Sequence, residues 1–468
     1  MKEEKVGVML LLVFALSLCE ITSSSGSYFD QQQQYHHRRK SMLPTEATSS
    51  LMLNRAGSSI VLPVDGNVYP NGFYNVTLNV GQPSKPYFLD PDTGSDLTWL
   101  QCEPCTHCTE APHPPYRHTN NLVACKDPLC KSLHPTDDYK CETPEQCDYD
   151  IAYADGVSSM GFLVKDLFSL NLTNGGFLRP HLALGCGYDQ SPSLFSHPSD
   201  GILGLGKGKS SIISQLSGQG LVRNVVGHCL SDRGGGYFFF GNDLYDASRV
   251  VWTSMSRDHP EHYSPGLAEL IFGGKPTGIR NLPVVFDSGS SYTYLTSKAY
   301  EAVTSLVKRE LPRKHFKEAL DDKTLPYCWR GRRPFKRVED VEKYFKPLAL
   351  SFANGGKAKP FVIPPEAYLI ISVSPTFIFS FVLFDLCLSC KQGTMYQNTQ
   401  TTCLLQSKGN VCLGILNATE VGQSLNIIGD ISMLGKMVVY DNEQELIGWM
   451  SDKCDRLPKP KTVSKWLK

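Results

Sequence analysis

Residues 88–99 read FLDPDTGSDLTW and residues 283–295 read PVVFDSGSSYTYL. Both run in one order: apolar residues, an Asp, a Thr or Ser, a Gly, a Ser, then an aromatic. Each has a later companion, Ile202-Leu203-Gly204 after the first and Ile427-Ile428-Gly429-Asp430 after the second. The chain therefore reads as two related halves, although no tandem repeat of shorter period is present. Around these stretches lie short β-branched and aromatic runs cut by Gly, Pro and Asn, such as FYNVTLNVG, YDIAYADG, HLALGCG and KMVVYDNEQELIGWM, which predict a mainly β protein. The clearest helical signal is Ser297–Leu311, where Ala299, Val303, Leu306, Val307 and Glu310 follow a 3.6 spacing after a Thr/Ser cap.

The repeated acidic tetrapeptides carry a definite chemistry. An amide can be hydrolysed without a covalent intermediate if one carboxylate takes a proton from water while a second, protonated carboxyl polarises the carbonyl. Two Asp side chains about 3 Å apart suit this task, because like charges that close do not both ionise readily and their titrations split. In Asp92-Thr93-Gly94-Ser95 and Asp287-Ser288-Gly289-Ser290 the Gly permits close backbone approach and the hydroxyls can hydrogen-bond a carboxylate. One such tetrapeptide is weak evidence; two in matched contexts are strong.

On these residues the chain resembles the pepsin-like aspartic proteases over about residues 67–455, and most closely the cysteine-rich plant branch of nepenthesins and nucellin. The resemblance implies a bilobal acid-protease fold, two related β-barrel-like lobes with an active-site cleft between them. It makes Asp92 and Asp287 the catalytic pair, with Thr93 and Ser288 as the support between the loops. Tyr153 in IAYADGVSSMGFLVKD matches the aromatic of a flap hairpin that closes over substrate, and Trp99 its partner beneath; the plain alternative is that both are ordinary strand aromatics. It further implies polypeptide substrates, inhibition by pepstatin-type compounds, a monomer, and no metal or organic cofactor. The rival from another class is a catalytically silent homologue that binds peptides or inhibitors; a structural wall protein is a third reading.

Lys2–Lys5, the apolar run Val6–Leu18 and the small residues Ser23–Gly26 follow the order of a signal peptide, expected over residues 1–24. The run is shorter than the roughly 20 residues of a spanning helix, so no membrane anchor is expected. Residues 25–66 are Gln-, Ser- and His/Arg-rich and read as a pro-segment, or else as a spacer. Residues 67–245 then form the first catalytic lobe and 246–455 the second. The basic tail 456–468 has no apolar end for a lipid anchor. Formal net charge is zero over 468 residues, so nothing marks the whole chain as a nucleic-acid binder. The expected destination is the secretory route, to the cell wall or a vacuole.

Sixteen cysteines agree with an oxidising route. Seven of them, Cys102, Cys105, Cys108, Cys125, Cys130, Cys141 and Cys147, fall between the first acidic motif and the flap. Zinc ligation is the rival reading of the first three, but disulfides are expected, as in the Cys-rich insertion of the resembled branch. Cys186, Cys229, Cys454, Cys328 and Cys412 are five further disulfide candidates, with Cys229–Cys454 and Cys328–Cys412 as expected pairs and the remaining connectivity open, while Cys19 leaves with the signal peptide. Asn75, Asn171 and Asn417 begin sequons that can carry glycans.

Two departures bear on activity. Pro91 precedes Asp92 where the family has an apolar residue with a free amide, and a proline removes a ladder donor. Val373–Gln406 separates two strand-like pieces, IPPEAYLIIS and KGNVCLGIL, that relatives join by a short turn. Its ends, a Val codon beginning GT and a Gln codon able to read CAG, have the signature of an in-frame retained intron. Removing it also removes Cys387, Cys390 and Cys403 and turns an odd mature cysteine count even. A genuine exposed loop and a membrane span over Leu369–Leu388 are the alternatives, the latter interrupted by Pro375 and Asp385. We therefore expect a transcript lacking codons 373–406. Complementary DNA sequenced across the junction checks this, and abundant message containing only the long form contradicts it.

Overall fold

The computed structural model describes residues 58–134, 145–191, 199–352, 360–375 and 405–458. The leader, most of the pro-segment, Cys141, most of the 373–406 insertion and the end of the basic tail lie outside the described residues. Among the described residues no helix is long and apolar enough to cross a membrane.

Strands dominate, as the alternating runs require, and they assemble into sheets of fifteen, eight and four strands. The two acidic motifs sit in the same local design. In the first half, strand Lys85–Asp92 lies parallel to Gly201–Gly204, with Leu203 opposite Pro91 and Gly204 opposite Asp92. The latter strand also runs antiparallel to Trp99–Glu103. In the second half, Leu282–Phe286 lies parallel to Asn426–Ile428, which in turn meets Thr293–Leu295 antiparallel at Tyr294 and Ile427. Each hydrophobic-hydrophobic-Gly element thus threads behind an acidic loop. Its last amides are spent on that loop: Leu205 N–H bonds the Asp92 carbonyl at 2.8 Å, and Asp430 N–H bonds the Ser290 carbonyl at 2.8 Å.

The helix Ser297–Glu310 forms where the spacing places it and buries Ala299, Val303 and Val307. Glu310, which the spacing puts on the same face, is exposed instead and bonds Lys346 Nζ at 2.6 Å, because a charge at the helix end gains more from a cation than from burial. The strand pieces on either side of the insertion, Leu369–Pro375 and Leu405–Leu413, are neighbours in the four-stranded sheet. They are tied by Asp322, whose carboxylate accepts Ser372 Oγ at 2.6 Å and Asn410 Nδ2 at 2.8 Å.

Two boundaries differ from the reading by composition. Ile60–Asn67, assigned to the pro-segment, is a strand paired on one side with Gly236–Phe240 and on the other with Phe73–Val80. Ile60, Leu62 and Val64 are buried, and at about 1.5–3 kcal/mol per buried aliphatic side chain the strand belongs to the folded body. Lys436–Asp441, assigned to the second lobe, pairs antiparallel with Val225–Leu230 of the first, Val225 opposite Asp441 and Cys229 opposite Met437. One sheet therefore joins the two halves beneath the loops. Rings from both halves pack there: His228 of the first half lies 5.8 Å from Tyr440 of the second, and Tyr440 is stacked on Tyr263 at 4.2 Å.

The disulfides brace the same places. Cys229 pairs with Cys454 and Cys328 with Cys412. Within the cysteine-rich stretch the pairs are Cys105–Cys108 and Cys130–Cys147, while Cys102 reaches across to Cys186. Cys125 is also disulfide-bonded. Among the sequons, Asn171 is exposed at the end of strand Ser158–Asn171, whereas Asn75 is buried within Phe73–Val80, where a glycan has no room. Asn417 is half-buried and its amide donates to Glu420 at 3.0 Å.

Candidate active site

Asp92 and Asp287 face one another at the ends of the two strands just described. Each carboxylate is held the same way. Gly94 N–H donates to Asp92 Oδ1 at 2.7 Å and Ser95 Oγ to Asp92 Oδ2; Gly289 N–H donates to Asp287 Oδ1 at 2.9 Å and Ser290 Oγ to Asp287 Oδ2 at 2.9 Å. The glycines are obligatory because the opposite carboxylate occupies the space of a side chain. A Cβ on Gly94 would stand 2.7 Å from Asp287 Oδ1, and one on Gly289 would stand 2.5 Å from Asp92 Oδ1.

The residues after the acids lock the loops together. Thr93 Oγ1 accepts the Ser288 N–H at 2.9 Å and lies 3.5 Å from the Phe286 carbonyl, to which it donates. Ser288 Oγ accepts the Thr93 N–H at 3.1 Å and donates to the Pro91 carbonyl at 2.7 Å. Both side chains are buried, so each bond is made in a low-dielectric setting where losing a partner is expensive.

Pro91 fits this arrangement for a specific reason. Along its strand the even-numbered residues face Gly201–Gly204: the Phe88 carbonyl accepts Asp200 N–H and the Asp92 carbonyl accepts Leu205 N–H, both at 2.8 Å. Pro91 faces the other side, where the last registered pair with Phe73–Val80 is Val76 opposite Leu89. The missing N–H falls beyond that ladder, and the group the site uses from Pro91 is its carbonyl.

Burial and the negative charge of Asp287 push the Asp92 carboxyl well above the ordinary Asp range. A third acid, Asp430, lies buried nearby; desolvation raises its carboxyl strongly, and Asp90, Asp287 and Asp92 raise it further. Its position directly after Ile427-Ile428-Gly429 was the available signal, but sequence reasoning gave it no role.

Over the pair stands a hairpin of Asp148–Ala152 and Ser158–Asn171, with Ala152 opposite Ser158. Tyr153 begins its turn, closed by Tyr153 N–H to Val157 carbonyl at 2.7 Å. Trp99 Nε1–H donates to Tyr153 Oη at 2.7 Å, and Tyr153 also meets Ser95, which itself bonds Asp92. A chain of contacts thus runs from hairpin to carboxylate. Burial, then the Asp92 charge, raises the Tyr153 phenol, so it remains a neutral donor. Two further hairpin supports were not foreseen: Ser191 Oγ bonds Ser158 N–H at 2.8 Å, and Cys130–Cys147 pins the base beside Asp148. Asp155, at the exposed tip, is close enough to Tyr294 to raise its phenol after burial does.

An aspartic proteinase of Oryza sativa subsp. japonica is 42% identical to this chain over 430 residues, covering 88% of this chain and 95% of its own. The chain belongs to the plant pepsin-like aspartic proteinases. It is an aspartic-type endopeptidase. Aspartic proteinase 39 of Arabidopsis thaliana is 27% identical over 424 residues, 86% of this proteinase and 79% of its own length. Family models described as xylanase inhibitor N-terminal and C-terminal match residues 74–242 and 275–374. Among solved structures, the basic 7S globulin from soybean superposes with a TM-score of 0.60 at 15% identity, covering 85% of this proteinase and 97% of that chain, a likeness of fold alone.

Because the loops of the proteinase depend on the Thr93–Ser288 exchange, Ser288→Ala should lower stability by about 1–3 kcal/mol and reduce kcat, whereas Ser288→Thr should restore both. Pro91→Val should leave kcat within about threefold, a change under about 1 kcal/mol in the barrier. Urea unfolding and initial rates check these. Unchanged rates in Ser288→Ala, or a collapse in Pro91→Val, contradict the roles assigned.

Proposed function

We propose that Asp92 and Asp287 share one proton and together activate a water for direct attack on a peptide bond at acidic pH. The observation that carries this reading is the matched bonding of the two carboxylates, each held by one Gly N–H and one Ser hydroxyl and each filling the space a Cβ would take on the other loop.

Asp92, the more buried and the one with the raised carboxyl, keeps the proton and polarises the substrate carbonyl. Asp287, half-buried, takes a proton from water. The pair titrates as a unit. As pH rises through the elevated ionisation, the shared proton is lost and with it the general acid. As pH falls below the lower ionisation, the base is protonated. The profile is therefore a bell on the acidic side of neutrality. Tyr153 and Trp99 hold the hairpin over an extended polypeptide, and Ser95 links that hairpin to the dyad. One chain supplies both halves of the dyad, so a monomer suffices. The leader-like N-terminus supports a secretory route to the wall or a vacuole.

A catalytically silent homologue is the second reading, favoured by the description of the matching family models as halves of a xylanase inhibitor. Hydrolysis of a denatured protein across pH 2–7, with and without pepstatin, separates the two. We expect pepstatin-sensitive cleavage below about pH 5, and a loss of at least about 100-fold in Asp92→Asn and Asp287→Asn. A folded, disulfide-complete protein that cleaves nothing, or whose cleavage survives both substitutions, contradicts the proposal.

A further inference from the structure

The chain is neutral overall, but its charge is unevenly placed. Between Lys308 and Lys346 it carries thirteen Lys or Arg against seven Asp or Glu. The fold gathers this stretch around one knot of rings. Phe316 contacts Phe335 with centroids 5.7 Å apart, Tyr344 at 5.3 Å and Phe345 at 5.7 Å. A short hairpin sets Lys317 opposite Arg330 beside it. Cations that are distant in sequence therefore rim the same cluster. Arg313, Lys314 and Lys317 flank Phe316, while Arg332, Arg333 and Lys336 flank Phe335.

All six are exposed, and among the described residues none forms a salt bridge. Their neighbours show what pairing looks like here: Lys308 with Glu318 at 3.2 Å and Lys346 with Glu310 at 2.6 Å. Lys336, alone of the six among the described residues, sits close enough to an acid, Asp340, to lower its carboxyl. Clustered, exposed cations in excess over their acidic neighbours repel one another, so they favour the approach of an anion bearing several charges.

We propose that this face of the second lobe docks an acidic polysaccharide, a polymer of closely spaced uronate carboxylates. Of the chain's own segments outside the described residues, the N-terminal stretch around Arg38–Lys40 and the tail 456–468 are basic, and 135–144, with three acids against one lysine, carries too little charge to cover thirteen cations. A protein partner would call for an apolar or aromatic centre. Here Phe316 and Phe345 are each only 6% exposed and Phe335 and Tyr344 are half-buried; the exposed large apolar side chain of the stretch is Leu320 alone among the described residues, which is too little for such a centre. Nucleic acid is disfavoured on the secretory route that the proposed function assigns to the leader-like N-terminus. A regular polyanion gains from each cation it neutralises by releasing its own counterions, so affinity should fall steeply with salt. Docking would hold the proteinase on a carboxylate-rich matrix and leave the cleft to its substrates.

The test uses the full chain and polygalacturonate immobilised on agarose, with fully methyl-esterified polygalacturonate as the uncharged counterpart. We expect retention on the first at about 50 mM NaCl and release by about 0.5 M, with no retention on the second. Two triple variants, Arg313→Gln/Lys314→Gln/Lys317→Gln and Arg332→Gln/Arg333→Gln/Lys336→Gln, should each weaken binding at least tenfold by order of magnitude while peptide hydrolysis persists. The control pair Lys126→Gln/Lys131→Gln should not. Should a triple variant fail to fold, Arg333→Gln and Lys336→Gln alone should each flatten the slope of log affinity against log salt by up to about one. Equal retention on the esterified resin overturns the proposal, as does binding that neither triple variant nor the single variants alter. Stronger retention by immobilised acidic casein than by polygalacturonate overturns it in favour of a protein partner.

Discussion

Two carboxylates that repel each other are held face to face by two hydroxyls that each bond the other loop. Thr93 and Ser288 are buried, accept each other's backbone N–H, and donate to carbonyls next to the opposite acid. Much of the rest of the structure serves that exchange. The parallel strands Gly201–Gly204 and Asn426–Ile428 back the two loops, and the pairing of Lys436–Asp441 with Val225–Leu230 fixes one half against the other. An error of about 1 Å between such groups can cost two orders of magnitude in rate, which is why the support is so extensive for two side chains.

The same geometry sets the electrostatics. Burial disfavours ionisation of Asp92, and the nearby Asp287 disfavours it further, so a proton is retained where an isolated aspartate would have lost it. Hydrogen bonds from Gly94 and Ser95 oppose this without overcoming it. Asp430 adds a third acid whose own ionisation is suppressed, so over the acidic range it brings little negative charge to the site. Trp99, Tyr153 and Ser95 then couple the hairpin to this balance through neutral donors.

The parts of this design that are local were legible in the sequence. Apolar-Asp-Thr/Ser-Gly-Ser is a complete description of one half-site, and its repetition with a later hydrophobic-hydrophobic-Gly element identifies the fold. The helix Ser297–Glu310 was visible for the same reason, a single face with one period. Relations that depend on distant pairing were not. Nothing in the composition of Ile60–Asn67 separates a pro-segment from a strand until its partner Gly236–Phe240 is known. Nor does Lys436–Asp441 show that it will join the other half. Pro91 looked damaging because a proline is judged by its missing amide; its acceptability depends on which way that position faces in the sheet, a matter of register. Asp430 stood in the second hydrophobic-hydrophobic-Gly element, but its role depends on its burial beside the pair, which the sequence does not show.

The central claim is that the two carboxylates hold one proton between them. Pepstatin binding measured by calorimetry from pH 3 to 8, in buffers of different ionisation heat, tests it most directly. The account predicts tight binding at acidic pH, affinity that falls about tenfold per pH unit above the elevated ionisation, and uptake of about one proton on binding in that range. Affinity independent of pH, with no proton exchanged, would contradict it.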